Sequence, residues 1–121
     1  YTHHSGNEDM KAATSLIAAW GVAQFASLVE KMRNVPEGEG TLLDHSLLMF
    51  GNSCGECNYH TPYDVPTVLA GRGNGAVTPG RSIEYPEGTP RANLYTSMLQ
   101  AAGVQVDSFG KYGTGPLAGL K

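Results

Sequence analysis

Apolar positions follow two different rhythms along this chain. Over the first third, Met10, Ala13, Ile17, Trp20, Phe25, Leu28 and Met32 recur at a spacing near 3.6 and fall on one face of a single long helix. The other face, with Ser15, Ala19, Ala26 and Glu30, is small rather than strongly charged, so it too can pack closely against a neighbour. Asn7 or Asp9 suits the helix cap, and acidic Glu8 and Asp9 suit the positive end of its dipole. Asn34, Pro36 and Gly38 end it.

Beyond the turn Pro36 to Gly40 the rhythm shortens. The run from Ser46 to Phe50 is too short for a helix and predicts a buried strand, and Val65 to Ala70 repeats that pattern between proline and glycine. Neither run shows polar alternation, which predicts a mostly parallel sheet. Arg81 to Tyr85 predicts a third, edge strand ended by Pro86. Thr89 as N-cap and Pro90 at the first helical position open a second helix near residues 90–102. Leu94, Tyr95, Met98 and Leu99 form its apolar stripe, and Gly103 closes it. Val104 and Val106 suggest a last short strand before a glycine-rich tail from Phe109. The expected fold is α/β: part of a mostly parallel sheet with a long N-terminal helix.

Composition narrows the classes of function. With 121 residues, 40% of them hydrophobic, the chain reads as one α/β unit over residues 1–121. A net charge of −3 and the lack of any Lys/Arg cluster argue against a nucleic-acid partner. No apolar run is read as reaching the roughly 20 residues of a membrane span, and no charged-then-apolar signal segment is read here, one in the parent being expected upstream. The chain starts at Tyr1 without methionine, as expected of a processed or truncated piece. A sheet cut from a larger one would expose a strand edge, so a homodimer through that edge is expected.

The candidate chemistry lies between the two predicted strands. Cys54-Gly55-Glu56-Cys57 has the spacing of a zinc or iron–sulfur half-site, and His60 follows after two residues. The same pair also fits a thiol–disulfide active site, a structural disulfide of an oxidising compartment, or two idle thiols. His60 stands where loops converge at the carboxyl edge of a parallel sheet, a usual place for ligands. His3 and His4 are adjacent, so an extended chain points them to opposite sides. Asp44 beside His45 either orients that imidazole or belongs to a turn and cap. Gly71-Arg72-Gly73-Asn74-Gly75 offers backbone N–H groups and one guanidinium to an oxyanion, or is simply a turn. Glu56 and Asp64 are acid/base candidates without an evident carboxylate opposite. Trp20 and the methionines read as helix core.

Several segments, taken in order, carry a family likeness. Thr2-His3-His4, Pro36 to Ser46, Asn58-Tyr59-His60, Val65 to Gly73 and Gly88 to Tyr95 together resemble the C-terminal part of the bacterial HXXSHH family, whose biochemical activity is not established. Thr2-His3-His4 matches the end of the naming motif, with Thr for Ser. More widely, Thr41 to Phe50 and His60 to Gly71 resemble segments of sulfatases and alkaline-phosphatase-like hydrolases. Those enzymes use divalent metals on phosphate or sulfate esters, with a Ser, Thr or modified Cys nucleophile. The resemblance implies the C-terminal portion of a larger extracytoplasmic hydrolase-like domain acting on a small anionic ester. With the C-x-x-C spacing and the Gly71-to-Gly75 loop added, the expected metal residues are His60, Cys54, His4, His3 and Cys57, for zinc or another divalent ion, with Arg72 for the anion. Where the relatives place Asp-His before a glycine, this chain has Ser53-Cys54 before Gly55, and the nucleophile-bearing half has no counterpart in it. A noncatalytic binding or structural domain that has lost its metal site is the alternative.

Overall fold

A computed structural model of the chain describes residues 3–121. Helix α1 spans Glu8–Arg33, capped by Asn7, whose side-chain oxygen accepts the Met10 N–H at 3.1 Å. Strands β1 (Pro36–Glu37) and β2 (Gly40–Thr41) form a tight hairpin, followed by the helical turn α2 (Leu42–His45). Strands β3 (Leu47–Gly51) and β4 (Thr67–Gly71) make a second ladder, and α3 spans Arg91–Ala101. Thr2, part of the motif likeness, lies outside the described residues.

The mostly parallel sheet is not formed. β3 and β4 pair antiparallel, from Leu47 opposite Gly71 to Gly51 opposite Thr67. A parallel pair needs a crossover of about a dozen residues or more, usually helical. Residues 52–66 are instead a non-helical loop bonded to itself, so the chain returns beside the strand it left. The missing polar alternation has another cause. Phe50 stacks on Phe25 of α1 with ring centroids 5.2 Å apart, while Leu47 lines a groove with Met98 and Leu99 of α3. Both faces of β3 are half-covered, and that coverage, not strand direction, sets the pattern.

The other expected strands are absent as well. Residues 81–85 and 104–106 are irregular, held by side chains rather than by a ladder. Arg81 donates to the Thr78 and Lys121 carbonyls, and Gln100 donates to the Val106 carbonyl. Thr89 does not cap α3: its hydroxyl donates to the Pro86 carbonyl at 2.7 Å, and Pro90 takes the cap position without a side-chain bond.

The most enclosed part of the molecule surrounds α3. Val77, Leu94, Asn93 and Thr96 are buried, and Thr96 has no exposed surface. The two polar residues are there because the glycine-rich tail docks on them. Asn93 binds the Thr114 N–H and hydroxyl, Thr96 accepts the Phe109 N–H at 3.0 Å, and Ser97 accepts the Leu117 N–H at 2.7 Å.

Helix α1 is covered on one side only. Phe25 packs on Phe50, and a Cβ at Gly21 would meet the Phe50 ring at 3.4 Å, so this glycine lets the ring approach the helix. Ile17, Trp20 and Leu28, expected in the core, are exposed. Residues 12–29 carry no charge. By length and composition alone, α1 is long and apolar enough to cross a membrane, contrary to the shorter run read from the sequence.

Candidate functional site

The loop between β3 and β4 is closed by its own bonds. Gly55 N–H donates to the Thr61 carbonyl at 3.0 Å, Thr61 N–H returns to the Glu56 carbonyl at 3.1 Å, and Glu56 N–H donates to the Thr61 hydroxyl at 2.8 Å. Gly55 is required at this crossing because any Cβ there would collide with the Tyr63 carbonyl. Cys54 and Cys57 form a disulfide across the same turn, so in this state they are not idle thiols; the bond is common to the structural-disulfide and the thiol–disulfide readings. Neither sulfur is then a thiolate, so Cys54 and Cys57 do not act as the expected metal ligands while bonded to each other. Asn52 donates its side-chain amide to Cys57 Sγ at 3.1 Å.

The segment before α1 docks on this loop. Ser5 N–H donates to Asn58 Oδ1 at 2.9 Å, and Asn58 N–H in turn holds Glu56 Oε1 at 2.8 Å. His4 Nε2 lies 3.5 Å from that carboxylate oxygen, while its Nδ1 accepts the Gly6 N–H. His3 and His60 meet edge to face, with their Nε2 atoms 3.1 Å apart. His3 and His4, though adjacent, take different partners on the same loop.

His60 does not occupy a pocket between parallel strands, because that sheet edge does not exist. It is exposed on the loop with φ of 53°, a left-handed conformation that turns its ring toward His3. Two neutral imidazoles at this spacing are satisfied if one Nε2–H donates to the other ring. They are equally satisfied if both lone pairs face one cation. Among the described residues, no group of three or more His, Cys, Asp or Glu side chains is arranged to hold a metal ion.

The anion loop is engaged by the chain itself. Arg72, Gly73, Asn74 and Gly75 donate their N–H groups to the carbonyls of Leu43, Ser46, Asp44 and Arg72. The set of free amides that an oxyanion would need is therefore taken, and Arg72 offers only its exposed guanidinium, 4.0 Å from Asp44 Oδ1.

Asp44 and His45 form a corner rather than a catalytic pair. Thr41 and Asp44 make a capping box, and the bonds from the Thr41 hydroxyl and N–H hold the Asp44 carboxyl below its ordinary value. His45 Nδ1 meets Asn74 Oδ1 at 2.6 Å and Nε2 meets the Glu37 carbonyl at 3.1 Å. These bonds, Asn74 first, raise its pKa. A shallow groove of about 440 Å³ runs from this corner along Tyr95, Met98, Leu99 and Phe109. Both His45 nitrogens are already bonded, and neither His3 nor His60 lines the groove.

The roles of Asn58 and Asn74 as bonding partners escaped the sequence reading. Each acts across the fold, over 53 positions for Ser5–Asn58 and 29 for His45–Asn74, and no local spacing marks such a bond. The chain matches no family model, no curated protein and no solved structure.

Proposed function

We propose that this chain is the C-terminal, metal-binding part of an alkaline-phosphatase/sulfatase-like ester hydrolase, with the nucleophile outside these residues. One observation carries the reading: the 3.1 Å separation of His3 Nε2 and His60 Nε2. Two imidazoles bound to one metal at about 2.0–2.1 Å have their nitrogens roughly 2.9–3.4 Å apart, for angles between octahedral and tetrahedral. The pair thus fits two positions on zinc or a similar divalent ion. Glu56 lies on the same loop, beside His4 rather than beside the pair. When bound, such a metal polarises a phosphate or sulfate oxygen. The chain's own contribution is to hold two imidazoles at fixed spacing, one on the disulfide-closed loop and one on the segment clamped to it by Ser5 and Asn58. The disulfide supports an extracytoplasmic location, where such bonds persist.

The noncatalytic alternative is favoured by the absence of a complete ligand set among the described residues. Zinc titration by calorimetry separates the two. Stoichiometric binding to the oxidised protein, weakened at least about tenfold in His60→Ala and in His3→Ala, is expected for two shared imidazole ligands. Retention of inorganic phosphate or sulfate only by the zinc-loaded protein would extend the site to anionic esters. A folded protein that takes up no zinc overturns the metal reading and favours the noncatalytic one.

A further inference from the structure

We infer that the uncovered face of α1 is a self-association surface, on which a second copy of this chain packs its own α1 in the opposite direction. This inference uses none of the histidines of the metal reading and moves the expected dimer from the sheet edge to the helix.

The first support is area. A folded monomer of this mass exposes about 6,300 Å². This 12.8 kDa chain exposes 8431 Å². The excess, about 2,100 Å², lies within the roughly 1,000–2,500 Å² that each partner buries in an obligate homodimer.

The second support is the apolar face of α1 itself. Leu16 and Trp20, 72% and 66% exposed, stand on the side of α1 away from Phe25, beside Ala12, Ala19 and Ala23. Small residues around two large ones let a facing helix approach closely and receive them. At 26 residues, α1 is about 39 Å long, whereas the five-residue β3 that it covers spans about 17 Å. α1 also packs on α2, yet none of its residues is buried.

The third support sets the direction. Residues 8–11 (Glu8, Asp9, Lys11) carry a net charge of −1, and residues 30–33 (Glu30, Lys31, Arg33) carry +1. An antiparallel pair sets each acidic end against its partner's basic end and opposes the two helix dipoles, while a parallel pair would set like ends together. Such a pairing is isologous and closes as a dimer.

Trp20 is the chain's only tryptophan, so its fluorescence reports on this face alone. The inference expects a dimer in analytical ultracentrifugation, with Trp20 emission moving to shorter wavelength over the same concentration range. Leu16→Lys, at an exposed position, is expected to weaken association at least about tenfold, with the circular dichroism of the monomer retained. A monomer with solvent-like Trp20 emission at every concentration overturns the proposal. So does a dimer that leaves Trp20 in water, as the sheet-edge arrangement would. A shift in emission that appears only on adding phosphatidylcholine vesicles also overturns it, in favour of a lipid surface.

Discussion

At the residue scale, the most consequential contacts join positions far apart in the chain through short polar side chains. His45 shows this and makes a testable statement about pH. Its folded pKa is raised above the ordinary 6.5 by Asn74 and the Glu37 carbonyl, so its contribution is fully present below that value and is lost as pH rises through the folded pKa. Asp44 behaves oppositely. Its pKa is lowered from 3.8, so its contribution is present above that value and is lost as pH falls through the folded pKa. The corner joining β1, β2, α2 and the Asn74 loop should therefore be firmest between these limits. Melting is expected at higher temperature near about pH 5.5 than near about pH 8. His45→Gln should remove that part of the difference which does not come from the other histidines. An unchanged pH profile in the variant would show that the two bonds do not hold the corner.

At the scale of elements, α3 owes its burial to polar groups as much as to Leu94. The tail from residue 109 has no ladder of its own, and Asn93, Thr96 and Ser97 satisfy its backbone donors. Asn93→Ala would remove the buried partner of the Thr114 N–H and hydroxyl, at a cost of about 0.5–1.5 kcal/mol per bond. Urea unfolding should show that loss, and amide exchange at Thr114 should accelerate. Loss of stability without faster exchange there would mean that Asn93 acts through packing. Both helices were legible in the chain: α1 through its periodicity and Asn7 cap, α3 through its apolar stripe and Gly103. The strand segments were legible as segments too. Their direction was not, because half-coverage on two faces erases the alternation that distinguishes sheet types.

At the scale of the whole molecule, the ratio of surface to mass dominates. Few side chains are fully enclosed, and a large apolar face on α1 is bare. If a second copy covers that face, association adds to folding stability by mass action. The melting temperature should then rise with protein concentration in the native chain and stay constant in Leu16→Lys. A concentration-independent melt in both would leave the face without a role in self-association.

The candidate site divides between what lay in the chain and what the fold supplied. His60, His3 and His4 could be named from residue type and family likeness, and the Cys54–Cys57 pairing was among the readings left open. That His3 meets His60, and His4 meets Glu56, depends on a segment 57 positions away folding back onto the loop. Local order in a polypeptide follows from neighbours three or four residues apart, and so the sequence by itself determined α1, α3 and their stopping points. Strand direction, the exposure of Trp20 and the convergence of two imidazoles depend on which distant surfaces come together. Only the tertiary structure decides that, because such contacts leave no period in the chain.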